Sequence, residues 1–186
     1  KEMVMIGDTK KDMTVFQSGP IKWNLIVRDT LYGIRFRDLE SEAVKNFKGI
    51  ERFPVNEDWK VSADFEAYNP PKKISVPNVL GQIDEEPSPG AIVFTKDNQT
   101  YRLEAVDAGD RLWFIFADGT SGEETYGGGR FLYTDKADST GKVIVDFNKA
   151  YNPPCVITKF ATCPLPPKEN YIKLRITAGE KMYGGN

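Results

Sequence analysis

The chain has 186 residues, and its 25 lysines and arginines nearly balance 27 aspartates and glutamates, which leaves a formal net charge of -2. This balance argues against a nucleic-acid partner, which would select a basic surface, and the complete absence of histidine excludes Ser-His-Asp catalysis, Cys-His catalysis and histidine-ligated zinc. Two cysteines are too few for an all-cysteine zinc or iron-sulfur site, so any bound metal would have to be held mainly by oxygens. We predict no metal site and no cofactor.

A chain of this length fits a single domain, which we predict over residues 1–186. The longest apolar run, residues 112–117, is far shorter than the roughly 18 residues that a membrane-spanning segment needs, so we expect a soluble protein without a transmembrane segment. The sequence begins at Lys1 instead of methionine. Together with a possible disulfide, this favours export to the periplasm or cell envelope, and a cytoplasmic location stays open.

The N-terminal part predicts a hairpin. A strand is expected over 13–19, and apolar and polar residues alternate over 23–27 and again over 31–37. The turn between the two alternating segments falls at 29–30, the length that a tight hairpin uses.

One short helix is expected next. Residues 38–49 place Ala43, Val44 and Phe47 on one face. Asp38 or Ser41 can cap the start, Gly49 can stop the helix, and its expected length is about two turns.

The clearest strand signal lies over 59–67, where five apolar residues alternate with charged or polar ones. Its exit, 67–71, has the same five residues as 150–154, and because the similarity ends there we interpret both as one kind of strand exit rather than as a repeat. A proline-rich turn is predicted at 87–90.

The rest of the chain predicts further antiparallel strands. The segment at 111–117 is apolar on both faces and should be central in its sheet. Altogether about ten short strands and one short helix predict a mostly β fold, an antiparallel β-barrel or sandwich. The strands from 91 onward are expected at 91–95, 100–106, 111–117, 131–133, 143–147 and 172–176.

The loop at 151–170 is the predicted location of any site. Its prolines fix the backbone and remove donors, so it should be rigid, and rigid loops on a β scaffold commonly carry binding and catalytic groups. It holds both cysteines, Cys155 and Cys163. A disulfide, two buried free thiols and a functional thiol all fit this spacing.

Four motifs carry a resemblance to a known family. TSGEETYGGGRFLY at 120–133 is followed by DFNKAYNPPC at 146–155, ATCPLPPKEN at 161–170 and AGEK at 178–181. With these motifs the chain resembles, over about 19–183, a bacterial family catalogued as domain of unknown function 1684. The resemblance implies no activity.

Arg130 follows three glycines, which permits two interpretations. The glycines could let backbone amides approach an anion that the guanidinium clamps. Alternatively, Arg130 pairs with Glu124 or Asp146 and fastens the loop.

The other candidate residues lie in the same two loops. Glu124 and Glu169 could act as a general acid-base pair, and Cys163 could act as a thiol nucleophile, or the polar groups could only pin loops whose prolines cannot donate. The candidate catalytic residues are Glu124, Cys163 and Glu169, and the candidate ligand-binding residues are Tyr126, Arg130, Asn148, Tyr151, Asn152, Cys155 and Asn170.

These residues support three functional hypotheses. The first is the binding of a small polar or anionic molecule in a pocket between loops 120–130 and 151–170. The second is a histidine-free hydrolase or lyase that uses the acids and the thiol. The third is a structural or interaction domain without a ligand.

Overall fold

The computed structural model describes residues 3–28 and 30–184, which form two compact units, Lys1–Gly49 and Ile50–Asn186. Each unit is described by itself, and the assignment of 1–186 to one domain stays a prediction. Within the described residues no helix is long and apolar enough to cross a membrane.

The first unit is a three-stranded antiparallel meander in the order β1-β2-β3. The predicted hairpin is present between β2 and β3, although Asp29 in its turn lies outside the described residues. The strands are β1 (Val15–Ser18), β2 (Ile21–Arg28) and β3 (Leu31–Asp38).

The helix of this unit, α1, lies within the predicted region 38–49 but has one turn instead of the two predicted. It spans Glu42–Lys45, and the Ser41 hydroxyl caps it by accepting from the amide of Val44. None of its four residues is buried. Helices this short gain their stability from packing an apolar face, so without such packing the helical pattern extends through only one turn.

The second unit contains two antiparallel sheets, in the orders β10-β4-β5-β6 and β7-β8-β9. Only Ala105 separates β6 from β7, so one run of chain passes from the first sheet into the second. The mostly β antiparallel class is therefore confirmed. The strands are β4 (Lys60–Pro77), β5 (Ile83–Lys96), β6 (Gln99–Glu104), β7 (Val106–Ala108), β8 (Arg111–Phe116), β9 (Arg130–Asp135) and β10 (Lys142–Asp146).

The core of the second unit lies between these sheets. Ile92, Leu103, Phe114 and Phe147 are fully buried there and belong to one cluster. As predicted, β8 is the middle strand of its sheet and is apolar on both faces, since its Ile115 joins a second buried cluster on the opposite side. The sequence pattern thus located the centre of the fold.

Two predicted features are wrong. Residues 87–90 are not a turn but part of β5. The pairing of β4 with β5 is interrupted between Ala67 and Lys72 and then continues, so β4 does not end at 67 as predicted. Ser88 is buried and its hydroxyl donates to the carbonyl of Gly90, so a proline-rich segment is accommodated inside a paired strand.

The predicted last strand, 172–176, also lacks a ladder among the described residues. It is extended, and Leu174 and Ile176 are buried as the alternation required. Its backbone contacts are single ones, such as the bond from the amide of Gly119 to the carbonyl of Leu174. The alternation of apolar residues over 172–176 therefore predicted correctly which side chains are buried, but not that the segment pairs with a strand.

Candidate functional site

Arg130, the predicted anion clamp, begins β9 and lies entirely inside the protein. Its Nη2 contacts Asp118 Oδ2 at 2.6 Å, and neither side chain is exposed to solvent. The guanidinium also donates to the carbonyls of Ile176 and Glu180 at 3.0 and 3.2 Å, and to that of Ala178. Burial lowers the pKa of Arg130, and the Asp118 carboxylate opposes that shift.

These contacts favour the second interpretation of Arg130, an arginine that fastens the chain. Its partner is Asp118, however, and not Glu124 or Asp146. The neighbouring Gly129 has a φ of +86°, and a Cβ there would overlap the Phe116 carbonyl. This glycine is therefore required by close packing, which is a different use from cradling an anion.

Among the described residues, Glu124 and Glu169 of the predicted acid pair have different partners and do not contact each other. Glu124 accepts a hydrogen bond from Arg175 Nη2 at 2.5 Å, and Arg175 also binds Glu123. Glu169 is partly exposed and lies 3.8 Å from the ammonium of Lys168. Each carboxylate thus has its own cation, and acid-base catalysis by the two stays a prediction.

The candidate amides hold backbone segments together. Asn170 is buried; its Oδ1 accepts from the amide of Glu104 at 2.7 Å, and its Nδ2 donates to the carbonyls of Glu104 and Ile115 at 2.9 Å each. Asn148 exchanges two hydrogen bonds with Asn56 in the same way. A role for these amides in ligand binding stays a prediction.

Asn152 differs from the other amides in one atom. Its Nδ2 donates to the carbonyl of Lys181 at 2.7 Å, and its backbone amide donates to Glu180 Oε2 at 2.7 Å. Its Oδ1 is buried and has no hydrogen-bond partner within the described part of the chain. The side chain therefore ties the rigid loop to the C-terminal segment with one acceptor unused.

The two predicted loops do meet, at Tyr126, Cys155 and Cys163. The amide of Cys155 donates to the sulfur of Cys163 at 3.1 Å, and both cysteines are free thiols. Burial, followed by the side-chain hydrogen bond with Cys155, raises the pKa of the Cys163 thiol to about 12. Little of such a thiol is present as thiolate at neutral pH, so Cys163 should react slowly there, and its role as a catalytic group stays a prediction.

Tyr126 completes this cluster. Burial, then the charge and side-chain hydrogen bond of Cys155, raise the pKa of its phenol.

Tyr151 belongs to an aromatic array on the side of β8 and β9 away from the main core. Its ring stacks on Tyr133 at 6.3 Å and meets Phe131 edge-on at 5.7 Å, while Tyr133 in turn stacks on Trp113 at 5.9 Å. Burial, then the charge of Tyr133, raise the pKa of Tyr151 to about 12. The guanidinium of Arg111 lies over the Tyr133 ring, 4.4 Å from its centre.

An open cleft of about 280 Å³ lies beside Tyr133, where the two sheets of the second unit approach each other. Within the described part of the chain, Lys60 and Arg111 make no ion pair, whereas Lys149 contacts Asp146 at 3.7 Å. The cleft therefore contains three cations and two carboxylates. Its lining consists of Lys60, Arg111, Tyr133, Thr134, Asp135, Ile144, Asp146 and Lys149.

Sequence reasoning missed this cleft. Lys60 and Arg111 occupy ordinary polar positions of alternating strands, and nothing in their spacing brings them together. Their shared location depends on the pairing of β10 with β4 and of β8 with β9, in which Lys60 lies opposite Asp146 and Arg111 opposite Asp135. The only indication in the sequence was Arg111 itself, a charged residue at the start of the otherwise apolar strand β8.

A second polar cluster was missed for a similar reason. The Tyr68 hydroxyl lies 2.8 and 2.9 Å from the two oxygens of Glu104, and Arg102 contacts Glu104 at 3.3 Å and Glu66 at 2.5 Å. Burial, then the hydrogen bond with Glu104, raise the pKa of Tyr68. These residues come from β4 and β6, on either side of β5. The cluster joins strands that do not pair directly.

Comparisons with known proteins agree with this architecture. A family model described as "Protein of unknown function (DUF1684)" matches residues 45–181, a narrower region than the 19–183 expected from the motifs. A solution NMR structure of an uncharacterized protein of Haloarcula marismortui is similar at 26% identity with a TM-score of 0.62, over 76% of this chain and 80% of that chain. No curated protein matches.

Proposed function

This chain belongs to the DUF1684 family, and from its structure we propose that the second unit binds a small anionic molecule, a carboxylate or a phosphate, in the cleft beside Tyr133. The observation that carries this proposal is the pair of cations, Lys60 and Arg111, that line the cleft without an ion-pair partner among the described residues. The location differs from the pocket expected between loops 120–130 and 151–170.

Arg111 has the geometry of an anion-binding group. Its guanidinium is held over the Tyr133 ring, and such stacking restricts the side chain while leaving the edge of the fork free to donate. A guanidinium fork can bind a carboxylate or phosphate through two parallel hydrogen bonds. Lys60 adds a second, more flexible charge.

The size and the acids of the cleft restrict the ligand further. A volume of about 280 Å³ lies at the lower limit of ordinary small-molecule pockets. Asp135 and Asp146 on its wall repel a second negative charge and can accept from hydroxyl or amino groups. The best fit is therefore a small molecule with a single carboxylate and with hydrogen-bond donors, such as a hydroxy acid or a zwitterionic amino acid.

The test is a titration of the whole chain with phosphate, acetate, lactate and glycine at low salt, followed by thermal unfolding and by NMR shifts. A ligand present at about 100 times its dissociation constant stabilises the fold by roughly 2.7 kcal/mol. Arg111→Gln and Lys60→Gln should weaken binding at least about tenfold, the scale of one lost charged contact, without unfolding the protein. Lys73→Gln, an exposed lysine outside the cleft lining, is the matched control.

Two outcomes would count against the proposal. Binding that survives both cleft substitutions places the ligand elsewhere, and the pocket between the two loops is then the next location to test. Failure of all four probes in a folded protein favours the third hypothesis, a structural or interaction domain. The enzyme hypothesis and the expected export to the periplasm or cell envelope stay predictions.

A further inference from the structure

The two cysteines are close enough to form a bond that this structure does not contain. The amide nitrogen of Cys155 lies 3.1 Å from the sulfur of Cys163, so ordinary bond lengths limit the separation of the two Cα atoms to roughly 7 Å, the longest distance that a disulfide spans. The Cys155 side chain also contributes to the raised pKa of the Cys163 thiol, which is consistent with two neighbouring sulfurs. No large backbone movement is therefore needed to join them.

The two thiols have unequal surroundings. Cys163 is only 2% exposed, and its carbonyl accepts from the amide of Val79 at 3.1 Å. Two residues later, the amide of Leu165 donates to the carbonyl of Pro77 at 2.7 Å. Cys163 is thus fixed against the end of β4, within a ladder-like contact.

Cys155 is the accessible member. It lies in the single 3-10 turn Pro154–Val156 and is half-buried. The chain that follows it toward Cys163 is largely exposed, with Phe160 at 85%. A small reagent can therefore approach Cys155 from solvent, whereas Cys163 is reached through Cys155.

We propose that Cys155 and Cys163 form a reversible redox site, in which Cys155 reacts with a low-molecular-weight disulfide and Cys163 completes an internal disulfide. In the first step the Cys155 thiolate attacks one sulfur of the oxidant RSSR, the S–S bond breaks, and RS⁻ leaves. In the second step the Cys163 thiolate attacks the Cys155 sulfur and expels a second RS⁻. Two cysteine thiols are oxidised, RSSR is reduced to two RSH, and the two cysteine protons end on the released thiols.

The second step should depend strongly on pH. Because the pKa of Cys163 is about 12, its thiolate fraction rises about tenfold per pH unit below that value. The titratable groups that act on this thiol pair are Cys155 itself and the phenol of Tyr126. The amide of Cys155, which donates to the Cys163 sulfur, stabilises the thiolate once it forms.

The oxidised form would alter the contact between the two loops. Tyr126, on the glycine-rich loop, interacts with the Cys155 thiol, which contributes to the raised pKa of the phenol, and disulfide formation removes the titratable thiol from that interaction. The bond also closes the segment 155–163 into a ring. Oxidation would therefore change the contacts of the 120–130 loop as well as those of the loop that carries the cysteines.

The experiment equilibrates the full chain in glutathione redox buffers, quenches it with acid, alkylates free thiols and identifies the products by mass spectrometry. The same titration is run in urea-unfolded protein. Since the native contact holds the thiols together, the effective concentration of one thiol at the other should be at least about tenfold higher in the native protein than in the flexible unfolded loop. An equal or lower value in the native protein would overturn the proposal.

Single substitutions test the order of the steps. Cys163→Ala should stop the reaction at a glutathione adduct on Cys155, and Cys155→Ser should leave Cys163 unmodified in the folded protein. Circular dichroism of both variants confirms that they are folded, and Cys163→Ser replaces the alanine variant if that one is not. An adduct that forms first on Cys163, or a second step whose rate is flat between pH 7 and 9, would contradict the mechanism.

Discussion

Arg130 and Arg111 lie at opposite ends of the same three-stranded sheet, and they serve different purposes. Arg130 is completely buried, paired with Asp118 and bonded to three carbonyls of the C-terminal segment. Arg111 is exposed, stacks on Tyr133 and has no ion pair among the described residues. A glycine-rich neighbourhood is therefore compatible with an arginine that is packed and paired inside the protein. The side of the sheet on which the guanidinium lies decides whether its charge is available.

The largest effect should come from breaking the buried ion pair. Asp118→Ala leaves the Arg130 charge uncompensated in the interior, which should lower the free energy of unfolding by about 3–5 kcal/mol. Urea unfolding measures this directly. Glu124→Ala, which removes an exposed partner of Arg175, is the control and should cost less than about 1 kcal/mol. Similar losses in the two variants would erase the distinction between interior and exposed charges.

A smaller loss of stability is expected on substitution of Asn170. This residue is buried like Asp118 but carries no charge, so it tests the effect of burial alone. Asn170→Ala removes a neutral side chain that bonds three backbone groups and leaves buried groups unsatisfied, at a cost of about 1–3 kcal/mol. The matched control is Asn148→Ala, since Asn148 makes its contacts in a more exposed place. If Asn170→Ala lowered the free energy of unfolding as much as Asp118→Ala, the loss in both variants would come from unsatisfied hydrogen bonds and not from an uncompensated charge.

The smallest effect concerns the aromatic array next to Arg111 and is visible only at high pH. The pKa of Tyr151 is raised from 10.0 to about 12, so the folded state keeps a proton that the unfolded state loses. Its contribution to stability is complete below pH 10 and is lost as the pH rises toward 12. Tyr151→Phe has no such proton, so the wild type should lose stability more steeply than this variant between pH 9 and 11.

Unfolding free energies of both proteins across this range provide the measurement. Tyr171→Phe, at an exposed tyrosine, controls for the loss of a hydroxyl. Parallel curves for the wild type and Tyr151→Phe would show that the outer array is too well hydrated to hold the phenol in its neutral form.

The fold was largely predictable because alternation and apolar runs report burial directly. The pattern of β8 located the central strand, and the alternation of 59–67 located the start of β4. What failed were local signals that tertiary contacts override. The prolines at 87–90 predicted a turn, yet a partner strand in register accommodates them. The pattern over 38–49 predicted a helix of about two turns, yet α1 has one turn and none of its residues is buried.

The site was less predictable for a different reason. The contact of Tyr126 with Cys155 joins the two loops whose motifs were singled out, and the sequence located both loops. The cleft depends instead on cations and acids that are adjacent only after strands pair, such as Lys60 with Asp146. The long motif around Arg130 contains close packing and a buried ion pair, which is the fastening interpretation that the sequence had left open.

The direct connection of β6 to β7 affects how the second unit unfolds, because these strands belong to different sheets. Ala105 is fully buried at the crossing, and Asn170 holds both backbone groups of Glu104 just before it. Neither sheet can separate without also displacing the segment that joins β6 to β7, and that displacement disrupts the other sheet. The two sheets are therefore mechanically one cooperative unit, and the backbone amides at the crossing should exchange with solvent only when the whole unit opens.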